Sequence, residues 1–268
     1  TYEEADGRLT EEPFASLWRL AQAYEAARRA NGAVSIDLPE ASVRVNGGEV
    51  SIHPVLPLAS RHMVGNAMVM TGEAVARYAA EHAIPLPHAT QDPPDNGSGD
   101  GALLGPEATL SEMFALRRTM KRSQYRSTPA PHFGLGLPAY VQVTSPLRRY
   151  LDLVTHQQLR GHLAGVPLLT AADIMERIGE VEPAIAAARQ AENLSNRHWT
   201  LVYLQQHPGW QGEAVLLDRR GQSGICVIPE LALETQVYLP PDLPLDSRVT
   251  LILRSVDLPR QDARFRVA

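Results

Sequence analysis

The stretch His132-Phe133-Gly134-Leu135-Gly136-Leu137, with Tyr140, then Thr144-Ser145-Pro146-Leu147-Arg148-Arg149-Tyr150-Leu151-Asp152-Leu153 and His156, decides the reading of this chain. Phe133–Val143 alternates enough to predict a strand, and Pro146 predicts a helix over Leu147–Leu163, because proline is favoured in a first turn. Thr144 and Ser145 can cap that helix. Arg148 and Arg149 then fall where free N–H groups and the positive dipole end already favour an anion. Two cations there oppose folding unless something negative compensates. A phosphate fits, and so does a buried carboxylate paired with one arginine; residue chemistry alone leaves both open.

On the N-terminal side, apolar spacing predicts helices over Pro13–Arg29, with Leu17, Leu20, Ala21 and Tyr24 on one face, and over Ser60–His82. Between them, Val43-Arg44-Val45, Asn46-Gly47-Gly48 and Val50-Ser51-Ile52 predict a hairpin around a glycine turn. Pro93–Gly105 reads as a loop, and Leu110–Tyr125 as a helix. On the C-terminal side a long helix is predicted over Ala171–Gln206, ending at His207-Pro208-Gly209, a domain boundary. Five short strands follow: Gly212–Leu217, Ser223–Ile228, Gln236–Leu239, Arg248–Ser255 and Ala263–Val267. They suit a small closed barrel of the OB kind, with a β-sandwich fragment as the competing arrangement.

Composition excludes several classes. At 268 residues, 44% hydrophobic and 21% charged, the chain is an ordinary globular sequence long enough for a large domain and a small one. No apolar run approaches the roughly 20 residues of a membrane span, and a single cysteine, Cys226, excludes an internal disulfide and fits a reducing cytoplasm. The net charge of −5 argues against a protein that coats nucleic acid, but not against a channel lined locally with cations. Lys121 is the one lysine; all other basic residues are arginine, whose forked guanidinium matches phosphate. The histidines include no helical H-x-x-x-H pair and no Gly-Lys-Ser/Thr follows the glycine-rich loop, so neither zinc nor P-loop chemistry is indicated.

The passage His132–His156 resembles the catalytic domain of the ribonuclease II (RNB) family, whose signature there reads HFGL…Y…TSPIRRY.DL..H. Weaker agreement covers Gly32–Glu40, the Ser60–Tyr78 helix, Ala191-Glu192 with Trp199, and Gly224–Leu231. The resemblance implies an α+β chain: a mixed RNB-type catalytic-domain portion over 1–207, then a small five-stranded OB-fold β-barrel that binds RNA over 208–268. It implies a processive 3′→5′ hydrolytic exoribonuclease on single-stranded RNA, releasing nucleoside 5′-monophosphates with Mg²⁺ held by carboxylates. Arg148 takes the place of the family arginine that stabilises charge on the scissile phosphate. Glu192 matches an acidic residue contacting the RNA 3′ end, while His132, Arg149 and Tyr150 would line or brace the cavity.

Three departures qualify the resemblance. The family's aspartate run for the metal has no counterpart here; Asp92-Pro93-Pro94-Asp95 is the nearest pairing and reads as a loop, so the ligands are expected upstream and this chain alone is expected to be inactive. Ile36 stands where an aromatic commonly stacks on a terminal base, and Gly65-Asn66 where an acidic pair is usual. Both predict a looser grip on the last nucleotides. The rival expectation is a non-catalytic RNA-binding protein of the same fold. Trp18, Trp199 and Tyr203 are read as packing residues and Cys226 as core, while Tyr238 and Phe265 could stack on bases beside Arg219, Arg220, Arg248, Arg254 and Arg260.

Overall fold

The computed structural model describes residues 1–95, 105 and 107–268, and divides the chain into two compact units. The predicted loop Pro93–Gly105 falls mostly outside the described residues.

The first unit comprises the described residues of Thr1–Ser35, Pro57–Leu103 and Met120–Ile185. Helix α1 (Tyr2–Asp6) abuts the start of α3 (Ala59–Glu81), and caps it from outside: Asp6 accepts the Ser60 N–H at 2.9 Å and the Tyr2 carbonyl accepts the Ser60 hydroxyl at 2.8 Å. Helix α2 (Phe14–Ala30) ends with Arg28 and Arg29, cations suited to the negative dipole end. Leu17, Leu20, Ala21 and Tyr24 line one groove with Met63, Val64 and Met70 of α3, as the helical spacing predicts. Leu17 and Leu20 nevertheless keep nearly half their surface exposed.

Strand β3 (His88–Thr90) is wholly buried and pairs antiparallel with β4 (Gln124–Arg126). The sequence predicts a helix through Tyr125, but α4 (Leu110–Thr119) stops earlier. The reason is tertiary: β3 takes Gln124–Arg126 as its partner, and Gln91 Nε2 donates to the Lys121 carbonyl at 2.6 Å. The predicted strand over Phe133–Val143 is also absent. Phe133–Leu135 forms a 3₁₀ turn instead, because Gln91 captures it: the Phe133 N–H donates to the Gln91 carbonyl at 3.0 Å and the Gly134 N–H to Gln91 Oε1 at 2.9 Å. Gly136 follows at φ +62°, where a Cβ would meet the Arg28 carbonyl at 2.6 Å. Helix α5 (Tyr150–Ala164) ends on Gly165 in the left-handed conformation. It buries Leu151 and Val154 against Ile174 and Ile178 of α6 (Ala171–Gln206), which starts at a Thr170–Asp173 capping pair.

The second unit comprises Ile36–Leu56, the described residues of Leu104–Thr119, and Ala186–Ala268. The predicted hairpin is present as β1 (Ala41–Asn46) and β2 (Glu49–Pro54), turning on Gly47 and Gly48, both at positive φ. The latter half of α6 leads to β5 (Gln211–Arg220), β6 (Ser223–Ile228), β7 (Leu233–Tyr238), β8 (Arg248–Asp257) and β9 (Asp262–Val267). Their antiparallel order β7-β6-β5-β8-β9, with β7 and β9 close, makes a nearly closed five-stranded barrel and not a sandwich fragment. Register shifts after Leu216 and Leu253 bend the long strands so that the sheet can curl. The barrel core holds Leu216, Cys226, Ile228 and Leu251, plugged from α6 by Leu201 and Leu204. Helix α4 packs Phe114 on Val215, Leu217 and Val227, and its first turn is held by Asp246, which accepts the Ser111 N–H at 2.9 Å and hydroxyl at 2.6 Å.

Candidate functional site

The arginine pair of the central motif lies before α5, not inside its first turn. Pro146–Arg148 form a turn, Arg149 is the residue at which the helix begins, and no side chain of Thr144 or Ser145 caps it. The start is displaced because the fully buried Asp152 carboxylate supplies the acceptor a cap would have supplied, but reaches further back. Its Oδ2 accepts the Ser145 N–H at 2.8 Å and Arg149 Nη2 at 2.7 Å. The Ser145 carbonyl accepts the N–H groups of Arg148 and Arg149 at 3.2 and 3.0 Å, closing the turn.

The carboxylate alternative is met by one of these arginines alone. Arg149 is half-buried and paired through Nη2 with the Asp152 carboxylate. Arg148 is exposed, and its guanidinium has no hydrogen-bond or ion-pair partner among the described residues. A free guanidinium on a pinned backbone is a donor fork aimed at solvent, suited to an incoming phosphate.

The surrounding residues brace this turn. Tyr150 remains partly exposed, and its hydroxyl accepts Arg177 Nη1 from α6 at 2.5 Å. His156 Nε2 lies 2.8 Å from the Val143 carbonyl, tying α5 to the segment before the turn. His132 Nε2 lies 3.0 Å from Ser123 Oγ, and its ring meets Tyr140 edge-on at 6.0 Å. Burial lowers the His132 pKa, favouring the neutral ring, and raises that of Tyr140. Tyr140 packs closely on α3: a Cβ at Gly72 would stand 2.3 Å from its ring.

Gly65-Asn66 lies on α3, facing α2 through the asparagine. Asn66 is buried; its Nδ2 donates to Glu25 Oε2 at 3.0 Å and its Oδ1 accepts Arg28 Nη2 at 2.6 Å. Arg28 Nη1 donates to the Leu135 carbonyl at 3.3 Å, so this network supports the 3₁₀ turn beside His132. Asp152 and Gln91 carry no site role in the sequence reading, and Asn66 enters it only as the position where an acidic pair is usual. For Asp152 a signal existed, an acid three residues beyond Arg149 at a helix start; for Gln91, whose partners are distant in sequence, none did.

Ile36 and Glu192 belong to the second unit. Ile36 is half-buried in the segment before β1, and Glu192 is exposed on α6 with no partner among the described residues. On the barrel, Phe265 is core and not a stacking platform, packed edge-on against Trp210 at 5.9 Å. Tyr238 is 81% exposed. Arg219 is consumed structurally by the Pro240 and Leu243 carbonyls, while Arg220, Arg248 and Arg260 pair with Asp218, Glu213 and Asp257. Arg254 is exposed without a partner among the described residues. Cys226 is buried in the barrel core, and burial pushes its thiol up to about 11. No group of three or more His, Cys, Asp or Glu side chains that could hold a metal ion gathers among the described residues. No helix among them is long and apolar enough to cross a membrane.

Family models match most of the chain. The family model of the RNB domain matches residues 1–101 and 106–165, and that of the RNase II-type exonuclease C-terminal S1 domain matches 210–268. A relative described as an uncharacterised ribonuclease of Synechocystis sp. is 34% identical over 99% of this chain, which spans 41% of that protein. Among solved structures, an active-site mutant of the Dss1 exoribonuclease of Candida glabrata superposes with a TM-score of 0.81 at 20% identity, over 99% of this chain and 38% of that one. Mycoplasma genitalium RNase R in complex with ribose-methylated single-stranded RNA gives 0.75 at 17% identity, over 100% of this chain and 53% of that one.

Proposed function

Since the chain belongs to the RNB family and carries its S1 domain behind it, we propose that it forms part of a 3′→5′ hydrolytic exoribonuclease acting on single-stranded RNA. The observation that carries this reading is Arg148, exposed and unpartnered at the crest of a turn whose other arginine is already neutralised. Arg148 donates to the scissile phosphate and stabilises charge that develops there in the transition state. Arg149 braces the turn, Tyr150 is held beside it by Arg177, and His132 stays neutral at the cavity wall. Glu192 contacts the RNA 3′ end, and Ile36 offers apolar contact to a terminal base without stacking. Residues 1–207 act as the catalytic-domain portion and 208–268 as the RNA-binding barrel. Degradation is processive and releases nucleoside 5′-monophosphates.

Mg²⁺ would supply activation of the attacking water when bound, with its ligands expected outside the described residues. No role in holding it falls on the residues described here. The test uses the full-length protein with 3′-overhanging RNA and Mg²⁺. Stepwise shortening from the 3′ end is expected, and Arg148→Ala lowers kcat about 10²–10³-fold, the usual cost of losing one preorganised donor to a transition-state oxyanion. Equal rates for variant and parent overturn the role of Arg148.

A further inference from the structure

Both ends of the turn that carries Arg148 are tied to one carboxylate. Asp152 Oδ2 accepts from the Ser145 backbone at one end and from the Arg149 guanidinium at the other, at 2.8 and 2.7 Å. Asp152 is fully buried in the first turn of α5, where the helix dipole favours a negative charge. Leu147 and Arg148, between the two tethers, are exposed. A single buried anion thus fixes the backbone at the crest of the turn, and it takes up the guanidinium that would otherwise compete with Arg148 for a phosphate. Without that anion, Arg149 would be an uncompensated, half-buried cation beside Arg148.

Resting on the reading of Arg148 given above, we infer that Asp152 is the positioning residue for the phosphate-gripping arginine. It touches no substrate; it acts through Ser145 and Arg149 to hold the Arg148 backbone at one place relative to α5. Displacement of a transition-state group by about 1 Å can cost two orders of magnitude in rate. Misplacement of this turn therefore acts on kcat more than on capture of a long RNA, whose affinity is spread over many phosphate contacts.

The experiment is a double-mutant cycle in the full-length protein, with Asp152→Asn, Arg148→Ala and their combination. Asparagine keeps the size and one acceptor oxygen but removes the charge. Cleavage of a single-stranded oligoribonucleotide with Mg²⁺ should show kcat falling about 10–100-fold in Asp152→Asn, with KM moving less than about 3-fold. In the Arg148→Ala background the same substitution should change the rate by less than about 2-fold, because the residue it positions is gone. An equal loss in both backgrounds, or a loss that tracks the melting temperature alone, overturns the inference. Should Asp152→Asn not fold, Asp152→Glu retains the charge, displaces it by one methylene and is read through the same cycle. A parent that fails to shorten RNA defeats the nuclease reading itself; the cycle is then read on affinity for the oligoribonucleotide in EDTA. There too, the loss on Asp152→Asn must vanish without Arg148, and additivity overturns the positioning role.

Discussion

The amide of Asn66 on α3 donates to the carboxylate of Glu25 on α2, with 3.0 Å between Nδ2 and Oε2. The same amide accepts from Arg28, so it donates to an anion and accepts from a cation at once. A carboxylate at position 66 could serve only the second partner. Burial raises the Glu25 pKa, but hydrogen bonds from Arg29 and Asn66 outweigh it and hold the carboxyl below the usual range.

Asn66→Asp should therefore destabilise the protein by about 1–3 kcal/mol at neutral pH, the cost of losing a buried hydrogen bond and leaving its partner opposed. The pH dependence separates this from simple packing loss. In the parent, the folded Glu25 pKa is lowered, so its contribution is present at neutral pH and lost as pH falls through the folded value. In the variant two carboxylates face each other, one is raised, and its penalty is relieved on acidification. Urea unfolding at pH 7 and pH 4.5 should show the gap between parent and variant narrowing. A gap that stays constant would show that Asn66 and Glu25 do not interact in solution.

His88 gives a second pH signature, this one from burial alone. It is 1% exposed in β3, its Nδ1 has no partner among the described residues, and burial lowers its pKa to about 4. The folded value lies below the unfolded one, so above about pH 6.5 both states are neutral and stability is full. As pH falls from about 6.5 to about 4, the unfolded chain takes up a proton that the folded chain refuses, and stability is lost. That loss amounts to about 2–3 kcal/mol at most, since each tenfold weakening of proton affinity on folding is worth about 1.4 kcal/mol. His88→Leu should flatten the parent's stability curve across that window, and an unchanged slope would sink the assignment.

Gly72 tests whether Tyr140 is held by contact with α3. A methyl group at this position would stand 2.3 Å from the Tyr140 ring and 2.4 Å from the Val141 carbonyl, and the carbonyl belongs to backbone that bridges to β3. Gly72→Ala should cost about 1–3 kcal/mol through overpacking, even though alanine favours helices more than glycine does. Tyr140 would move away from its edge-on contact with His132. A variant as stable as the parent, with unperturbed histidine resonances, would mean that the ring does not rest on α3.

How much of this was legible in the sequence depends on the distance over which each feature is determined. Helices α2, α3 and α6 and the hairpin at Gly47-Gly48 follow from local spacing and turn chemistry, and they stand where those signals put them. The five barrel strands were legible as short apolar runs between turns, with edges off by a few residues because Asp/Gly/Pro signals mark loops more sharply than strand ends. The helix expected through Tyr125 and the strand expected through Val143 failed at one place, where Gln91 binds both Lys121 and Gly134 from far along the chain. At the site, the residue types were legible but their division of labour was not. Nothing in two adjacent arginines says which one a buried aspartate will take; the turn geometry that puts Arg149 inward and Arg148 outward decides it.

The barrel allows an inside-against-outside comparison of two aromatic residues. Phe265 is 9% exposed and lies edge-on to Trp210, so Phe265→Ala should cost about 3–5 kcal/mol of stability by emptying part of the core. Tyr238, at the end of β7, is 81% exposed and should change stability by less than about 0.5 kcal/mol when replaced by alanine. Base stacking on an exposed ring contributes about 1–3 kcal/mol, so Tyr238→Ala should weaken single-stranded RNA binding by roughly 5- to 150-fold with little change in melting temperature. Phe265→Ala should do the reverse, losing stability first and affinity only as far as unfolding explains it. Fluorescence anisotropy and thermal unfolding on the same two variants check both. If Tyr238→Ala binds RNA as tightly as the parent, RNA does not stack on the β7 edge of the barrel, and the exposed Arg254 becomes the next side chain to substitute.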